Sequence, residues 1–331
     1  MELRQLKYFL AIADSGSFSR AAQRVFVAQS ALSHQMAQLE GELGASLFQR
    51  SRRGVALTDV GLRFYPHAVS ILRQTEEAAQ CARSGNAEPS GKVVFGIPHS
   101  VSQALALPLL RAVRQALPKV QLELTEELTG NLTPQLRAGQ IQLAVLFDDG
   151  TLSEFAWTPM LRERLYLIGP PQASARRSAH VTLRQALARP LILPAHPRGV
   201  RPLIEAAAQS VGLAPPKTVT DISSISILRT SLLAGLGQTL LPLMPLKTDL
   251  DAGLLQATPV VSPPLERVLA LCSSPHIPLS TAAQAVARLV LTVAAQLCDA
   301  QAWPGATLVT PSEAPVRPAP GSNSLPAQSG A

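Results

Sequence analysis

Gln29, Ser30, Ser33, His34 and, further along, Gln38 bring amides, hydroxyls and an imidazole onto the polar face of one short stretch. A glutamine amide can bond an adenine edge bidentately, and a histidine can donate to a guanine or a phosphate. Residues 49–54 come next as Gln-Arg-Ser-Arg-Arg-Gly, a basic turn. Arg52 and Arg53 in it suit phosphates, which contribute affinity and salt dependence rather than sequence choice. Arg50 suits bracing the turn. These residue types point to double-stranded DNA as the partner.

Residues 18–42 would hold those side chains. They read as two short helices joined by a tight turn at residues 25–27, with Ala21 and Ala22 small where helices must approach. Such a pair is a helix-turn-helix, here expected from Phe18 to Ala37, in which one helix braces while the next enters the major groove by its N-terminal end. Any helical hairpin has small residues at its crossing, so the pair alone says little. The residues after it say more. Gly44 ends the second helix in the C-cap region, Leu47 and Phe48 pack back, and residues 55–58 return as a strand. The result is a wing beside a recognition helix, with arginines placed for phosphates or the minor groove. Phe9, Ala21, Ala22, Leu32, Leu39, Leu43 and Phe48 are the expected core.

Many spaced positions in this region resemble the LysR-type transcriptional regulators. They are Leu3, Leu6 and Phe9; Ser15 to Phe18; Ala21 and Ala22; Gln29 with Ala31, Leu32 and Ser33; Gln35 with Leu39 and Glu40; Leu43 and Gly44; Leu47 to Arg50; and Leu57 with Thr58. Within the family, residues 3–9 and 37–43 look most like the nitrogen assimilation control branch. One position departs: the family usually carries Pro after the Gln, and here it is Ser30. Proline at a helix start fixes φ without losing a needed donor; serine can cap there instead. The resemblance implies a homodimer or homotetramer bound to promoter DNA, a small-molecule effector, and RNA polymerase as a partner if the protein activates.

Thr58 and Asp59 read as the entry to a long helix. Gly61, Tyr65, Ala68, Leu72, Thr75 and Ala79 recur in it at alternating four and three spacing, a two-stranded seam. The seam could pack on its own domain, but between domains it is expected to pair with a second copy. Pro66 is a candidate kink, and residues 84–91 are a hinge of turn formers. From Lys92 strands and helices alternate, which implies parallel sheets with helices on both faces. Two such sets, with residues 267–271 and the helix at 281–297 returning to the first, imply two lobes and a cleft. The resemblance likens this region to a periplasmic binding protein, and residues 234–237 and 241–242 match a recurrent family segment.

The fold expected is therefore multidomain α/β. A winged helix-turn-helix occupies residues 1–58, and a dimerisation helix and hinge residues 59–90. The regulatory domain spans 91–300, with lobe I near 91–161 and 267–300 and lobe II near 162–266. The tail at 301–331 has six prolines and only Glu313 and Arg317 charged, so it is expected to be disordered. Ligands of open α/β sheets bind outside the carboxyl ends of strands. Those ends carry Ser100, Ser102, Thr129, Asn131, Phe147 and His196 as candidate effector contacts, unless they are only caps and turns. Asp148 and Asp149 argue against a strongly anionic ligand, and regulators of the nitrogen assimilation branch can act without an effector.

Composition supports this reading. The net charge of +7 and pI near 9.8 favour a polyanion partner. No uninterrupted apolar run reaches the length of a membrane span, and the start MELRQLKYFL lacks a signal pattern, so a cytoplasmic protein is expected. Cys81, Cys272 and Cys298 are isolated, and the six histidines lack ligand spacing, so no metal or cofactor is expected. A nucleophile elbow, a GxxxxGK[ST] loop and HExxH are all missing. The rivals, a solute-binding protein or an enzyme on the same scaffold, leave the DNA-reading module unexplained.

Overall fold

The computed structural model describes residues 1–51, 54–83, 88–148, 150, 152–171, 179–195 and 199–309. Its first unit is α1 (Leu3–Ser15), α2 (Phe18–Arg24), α3 (Gln29–Leu43), β1 (Phe48–Ser51) and β2 (Gly54–Leu57). Local chemistry sets the boundaries. Gly16 and Gly44 close α1 and α3 in the left-handed region, and the Ser17 side chain accepts from Arg20 N at the start of α2. Leu6, Phe9, Ile12, Ala21, Leu32, Leu39 and Leu47 form the core, and the Phe9 ring meets Phe48 and Phe64 at 5.3 and 5.1 Å. Glu40 Oε1 accepts from Leu47 N and Phe48 N at 2.6 and 3.1 Å, tying the end of α3 to the wing.

Two local expectations change, although α3 ends where expected, at Leu43, with Gly44 supplying the left-handed cap. Leu43 is 40% exposed, because the last residue of α3 runs past the core, while Met36 is buried in its place. The residue flanking α3 is Ala28, with no side-chain cap; Ser30 sits two positions too far inside to act as one.

The linker α4 (Asp59–Arg83) is one helix that continues through Pro66. A Cβ on Gly61 would lie 2.1 Å from Leu47 O, Tyr65 Oη donates to Asp14 Oδ1 at 2.7 Å, and Ala68 is wholly buried. The first half of the seam thus packs on its own chain, not on a second copy as expected. Small residues at that spacing make a close-packing stripe whichever surface meets it. Leu62 and Val69 remain exposed on the other side.

The second half of α4 is fastened to the regulatory domain. Ser70 Oγ donates to Gly139 O at 2.9 Å, and Arg73 donates to Gly139 O and Gln140 O. Gln142 Nε2 donates to Glu77, while Gln142 Oε1 accepts from Val94 N at 2.7 Å. Burial lowers the Arg73 pKa and raises that of Glu77, each opposed by the other's charge. Gly139 has φ +67, and a Cβ there would meet Ile277 and Ser70 Oγ. Gly139→Ala should therefore cost about 1–3 kcal/mol in thermal unfolding; an unchanged midpoint would mean that the loop shifts freely.

The remaining elements are β3 (Gly91–Pro98), α5 (His99–Ala116), β4 (Val120–Glu127), α6 (Thr129–Arg137), β5 (Leu143–Phe147), β6 (Ala156–Arg164), β7 (Tyr166–Gly169), β8 (Val181–Thr182), α7 (Leu183–Leu187), β9 (Leu191–Leu193), α8 (Arg201–Ser210), β10 (Thr218–Asp221), α9 (Ile225–Leu233), β11 (Thr239–Leu241), α10 (Lys247–Asp251), β12 (Gln256–Val261), β13 (Glu266–Ser273), α11 (Thr281–Asp299) and β14 (Ala306–Leu308). One sheet runs β14-β6-β13-β5-β3-β4 and a second β11-β7-β12-β8. The parallel pair β9 and β10 joins β11 through a Leu191–Gln238 bridge. The sheets are mixed rather than parallel as expected. β13 returns from the second lobe between β5 and β6, which both run outward, so it must oppose both.

Each lobe has its own apolar core. In the first, α11 packs on α5 and β3 with Ala283, Val286 and Val290 wholly buried. Among the described residues it is the one helix long and apolar enough to cross a membrane, and packing in this core accounts for its hydropathy.

The tail needs a correction. Trp303 is 1% exposed within the core of the first lobe, and β14 pairs antiparallel with β6. The proline count of the whole tail had masked one large aromatic anchor, so residues 301–309 belong to the fold. Residues 310–331 lie outside the described ones.

Candidate DNA interface and regulatory cleft

On α3, the buried Leu32, Met36 and Leu39 turn one side to the core. Ser30, His34 and Gln38, four residues apart, form an exposed stripe on the other, with Ala37 exposed next to Gln38 and Ser33 half-buried beside the stripe. Gln29 is exposed, but Ser19 Oγ on α2 donates to its Oε1 at 2.9 Å. That bond fixes the amide while leaving both its N–H donors and one lone pair for a base. Among the described residues no side chain caps the first turn of α3, so its amides face outward at the positive end of the helix, where phosphates bind well. Arg52 and Arg53 lie outside the described residues.

Sequence reasoning passed over Phe26, whose ring is 94% exposed in the turn before α3. Its φ of 57° is left-handed, a conformation that costs a residue with a Cβ about 1–2 kcal/mol. The run Val25-Phe26-Val27 reads as three apolar residues and gives no sign of this.

Between the lobes lies a cavity of about 80 Å³. Ser100, Thr129 and Phe147 line it from the first lobe, and Val200, Leu228 and Leu241 from the second. Residues 99–102 are the first turn of α5, and residues 129–131 open α6. Two candidates do not line the cavity. Ser102 Oγ donates to Glu126 Oε1 and Asn131 Nδ2 to Glu127 Oε2, both at 2.9 Å. His196 and Asp149 lie outside the described residues, although Ala195 and Gly199 line the cavity.

The cation in this cleft was not foreseen. Arg267 Nε and Nη2 donate to Glu163 Oε2 at 2.8 and 2.6 Å, Nη2 also donates to Ser100 Oγ at 2.9 Å, and Cζ lies 3.8 Å from the centre of the Phe147 ring. Trp303 Nε1 donates to Glu163 Oε1 at 3.0 Å. Glu163 is fully buried and Arg267 is 6% exposed. Both carboxylate oxygens are satisfied, which is what a buried charge pair needs to persist. Arg267 opens β13 and Glu163 nears the end of β6, the two strands that carry the chain back from and out to the second lobe. In the sequence, Arg267 precedes an apolar strand and Glu163 stands between two arginines, patterns shared by surface charges.

Burial pushes the Cys272 thiol up to about 12, and burial also raises that of Cys298, so neither is poised as a nucleophile. Among the described residues, no cluster of His, Cys, Asp and Glu could hold a metal ion.

A winged helix-turn-helix fastened by a long helix to a two-lobed module with a cleft defines a transcriptional regulator with reader and control in one chain. Residues 3–62 match the model for bacterial regulatory helix-turn-helix proteins of the lysR family, and residues 86–295 that for the LysR substrate binding domain. The chain belongs to the LysR family of transcriptional regulators. It is 34% identical over 294 residues to the nitrogen assimilation regulatory protein nac of Klebsiella aerogenes, covering 88% of this chain and 95% of the relative. It is also 35% identical over 252 residues to the regulator BbuR of Bordetella bronchiseptica, covering 76% and 77%. In fold it is similar to a full-length OxyR variant from Pseudomonas aeruginosa, with TM-score 0.67, 23% identity, and 88% and 98% of the two chains covered. It is likewise similar to full-length CbnR solved in complex with its target DNA, with TM-score 0.63, 21% identity, and 88% and 100% covered.

Proposed function

We propose that the protein reads an interrupted palindrome in promoter DNA as a homodimer or homotetramer, and that a small molecule in the inter-lobe cleft sets its activity. The exposed stripe of α3 beside the Ser19-held Gln29 carries the reading: it is a polar face fixed in place and open to solvent. Two-fold protein symmetry is mirrored in the site. Closure of the cleft would reach the DNA through α4, whose Arg73, Glu77 and Ser70 contacts join it to Gly139, Gln140 and Gln142, just before β5. No catalytic role is proposed, and the cytoplasm is the compartment that suits a promoter-binding protein.

The test is gel retardation on the DNA upstream of the protein's own gene at moderate salt. Absence of a shift by folded protein at any salt would sink the reading. Gln29→Ala should relax sequence preference by about 1–3 kcal/mol at one base pair. Arg53→Ala should weaken all sequences about equally and flatten the salt dependence. If the two variants exchanged behaviour, the roles assigned to helix and wing would be wrong.

A second reading, regulation without an effector, draws on the small cavity and on an arginine already paired with Glu163. A ligand screen by thermal shift separates the two, because a bound effector stabilises the folded state.

A further inference from the structure

Phe26 is placed by three backbone bonds, from Val25 N to Ala21 O, Phe26 N to Gln23 O and Val27 N to Ala22 O, at 3.0, 3.3 and 3.0 Å. Its exposure is therefore built into the turn. Among the described residues the next most exposed large hydrophobic side chain is Leu236, at 63%. A left-handed backbone favours glycine or asparagine, and either would form this turn without putting a ring in water. The residue thus works against the free fold in backbone conformation, as expected of one kept for contact with something outside the chain.

Its position says what that is. Phe26 is three residues before Gln29, so their Cα atoms lie within about 11 Å. The N-terminal end of a recognition helix is the end that enters the major groove. The apolar feature displayed there is the C5-methyl of thymine, for which phenylalanine is a suitable contact. We propose that Phe26 packs on a thymine methyl at the edge of each half-site, an apolar specificity contact beside the polar ones of α3. This deepens the DNA-reading proposal and rests on it.

The experiment uses the full-length protein and its selected DNA site, with each thymine replaced in turn by deoxyuridine to delete one methyl. Wild type should lose about 4-fold in affinity at one thymine per half-site. Phe26→Ala should bind the unmodified site more weakly and ignore that replacement. Phe26→Gly should also bind weakly yet melt at a higher temperature, which excludes damage to the fold. Wild-type affinity in Phe26→Ala would overturn the proposal, and so would weaker binding by that variant with no methyl-sensitive thymine. A change in oligomeric state at constant DNA affinity would assign the ring to a second copy and likewise overturn it. Retardation of the unmodified site by wild type is read in the same gels, so failure of the DNA-reading function is seen separately.

Discussion

Glu163→Ala should destabilise the protein by about 3–5 kcal/mol, the usual effect of removing one partner from a buried ion pair. The change would leave the Arg267 guanidinium at 6% exposure without its carboxylate and orphan the Trp303 indole N–H. Most of the loss is the expense of a stranded charge rather than the worth of the pair. The double variant Glu163→Leu with Arg267→Met should therefore be less damaged than Glu163→Ala alone. Urea unfolding followed by tryptophan fluorescence measures both. A Glu163→Ala loss below about 1 kcal/mol, in the range of surface pairs, would show that water reaches the pair. Glu163→Gln gives a second readout. It keeps an acceptor for Trp303 while stripping Arg267 of its counter-charge, so the cleft should gain affinity for small carboxylates.

Trp303→Ala should cost about 3–5 kcal/mol, as for other large core side chains cut back to alanine. The ring is buried in the core of the first lobe, and its N–H satisfies Oε1 of Glu163, the oxygen that Arg267 leaves free. Trp303→Phe should fall between wild type and Trp303→Ala, because it keeps most of the apolar area and loses the bond, about 1–3 kcal/mol for a buried acceptor left unmet. A chain ending at residue 300 should be at least as unstable as Trp303→Ala, since it also loses β14. Wild-type stability in that truncated chain would return the whole segment to the tail.

The two variants meet at one carboxylate, so their effects should not add. Once Glu163 is gone, Trp303→Phe has no acceptor left to orphan and should cost less than in the wild-type background. That coupling also bears on the cleft, because Trp303 holds Glu163, Glu163 holds Arg267, and Arg267 lines the cavity.

The N-terminal unit was the most legible part of the chain because its signals are local. Small residues at a helix crossing, glycines past the helix ends and a basic turn before a short strand each act within a few residues of their position. The same locality made Gln29, Ser30, His34 and Gln38 readable as an outward face, since Leu32, Met36 and Leu39 fix the helix phase. Alternating strands and helices likewise gave a two-lobed α/β region. Locality also explains the errors. The seam of α4 fixed a stripe of small residues but not the surface it meets, which for Gly61 is Leu47 O of the same chain. Strand patterns gave the existence of β13 but not its antiparallel insertion, which depends on where the chain returns.

The sequence by itself determined the DNA-reading module, the long helix and the lobed scaffold, because each is written in spacing along one short segment. Only the tertiary structure decided which residues face the cleft. Ser102 and Asn131 are drawn to neighbouring carboxylates, while Arg267, Glu163 and Trp303 converge from positions up to 140 residues apart. A buried charge is permitted only where its partners are already in place, and nothing in the local pattern of a charged residue says whether they are. Phe26 shows the same division in miniature: its letters read as part of an apolar turn, and only the folded backbone sets its ring outside.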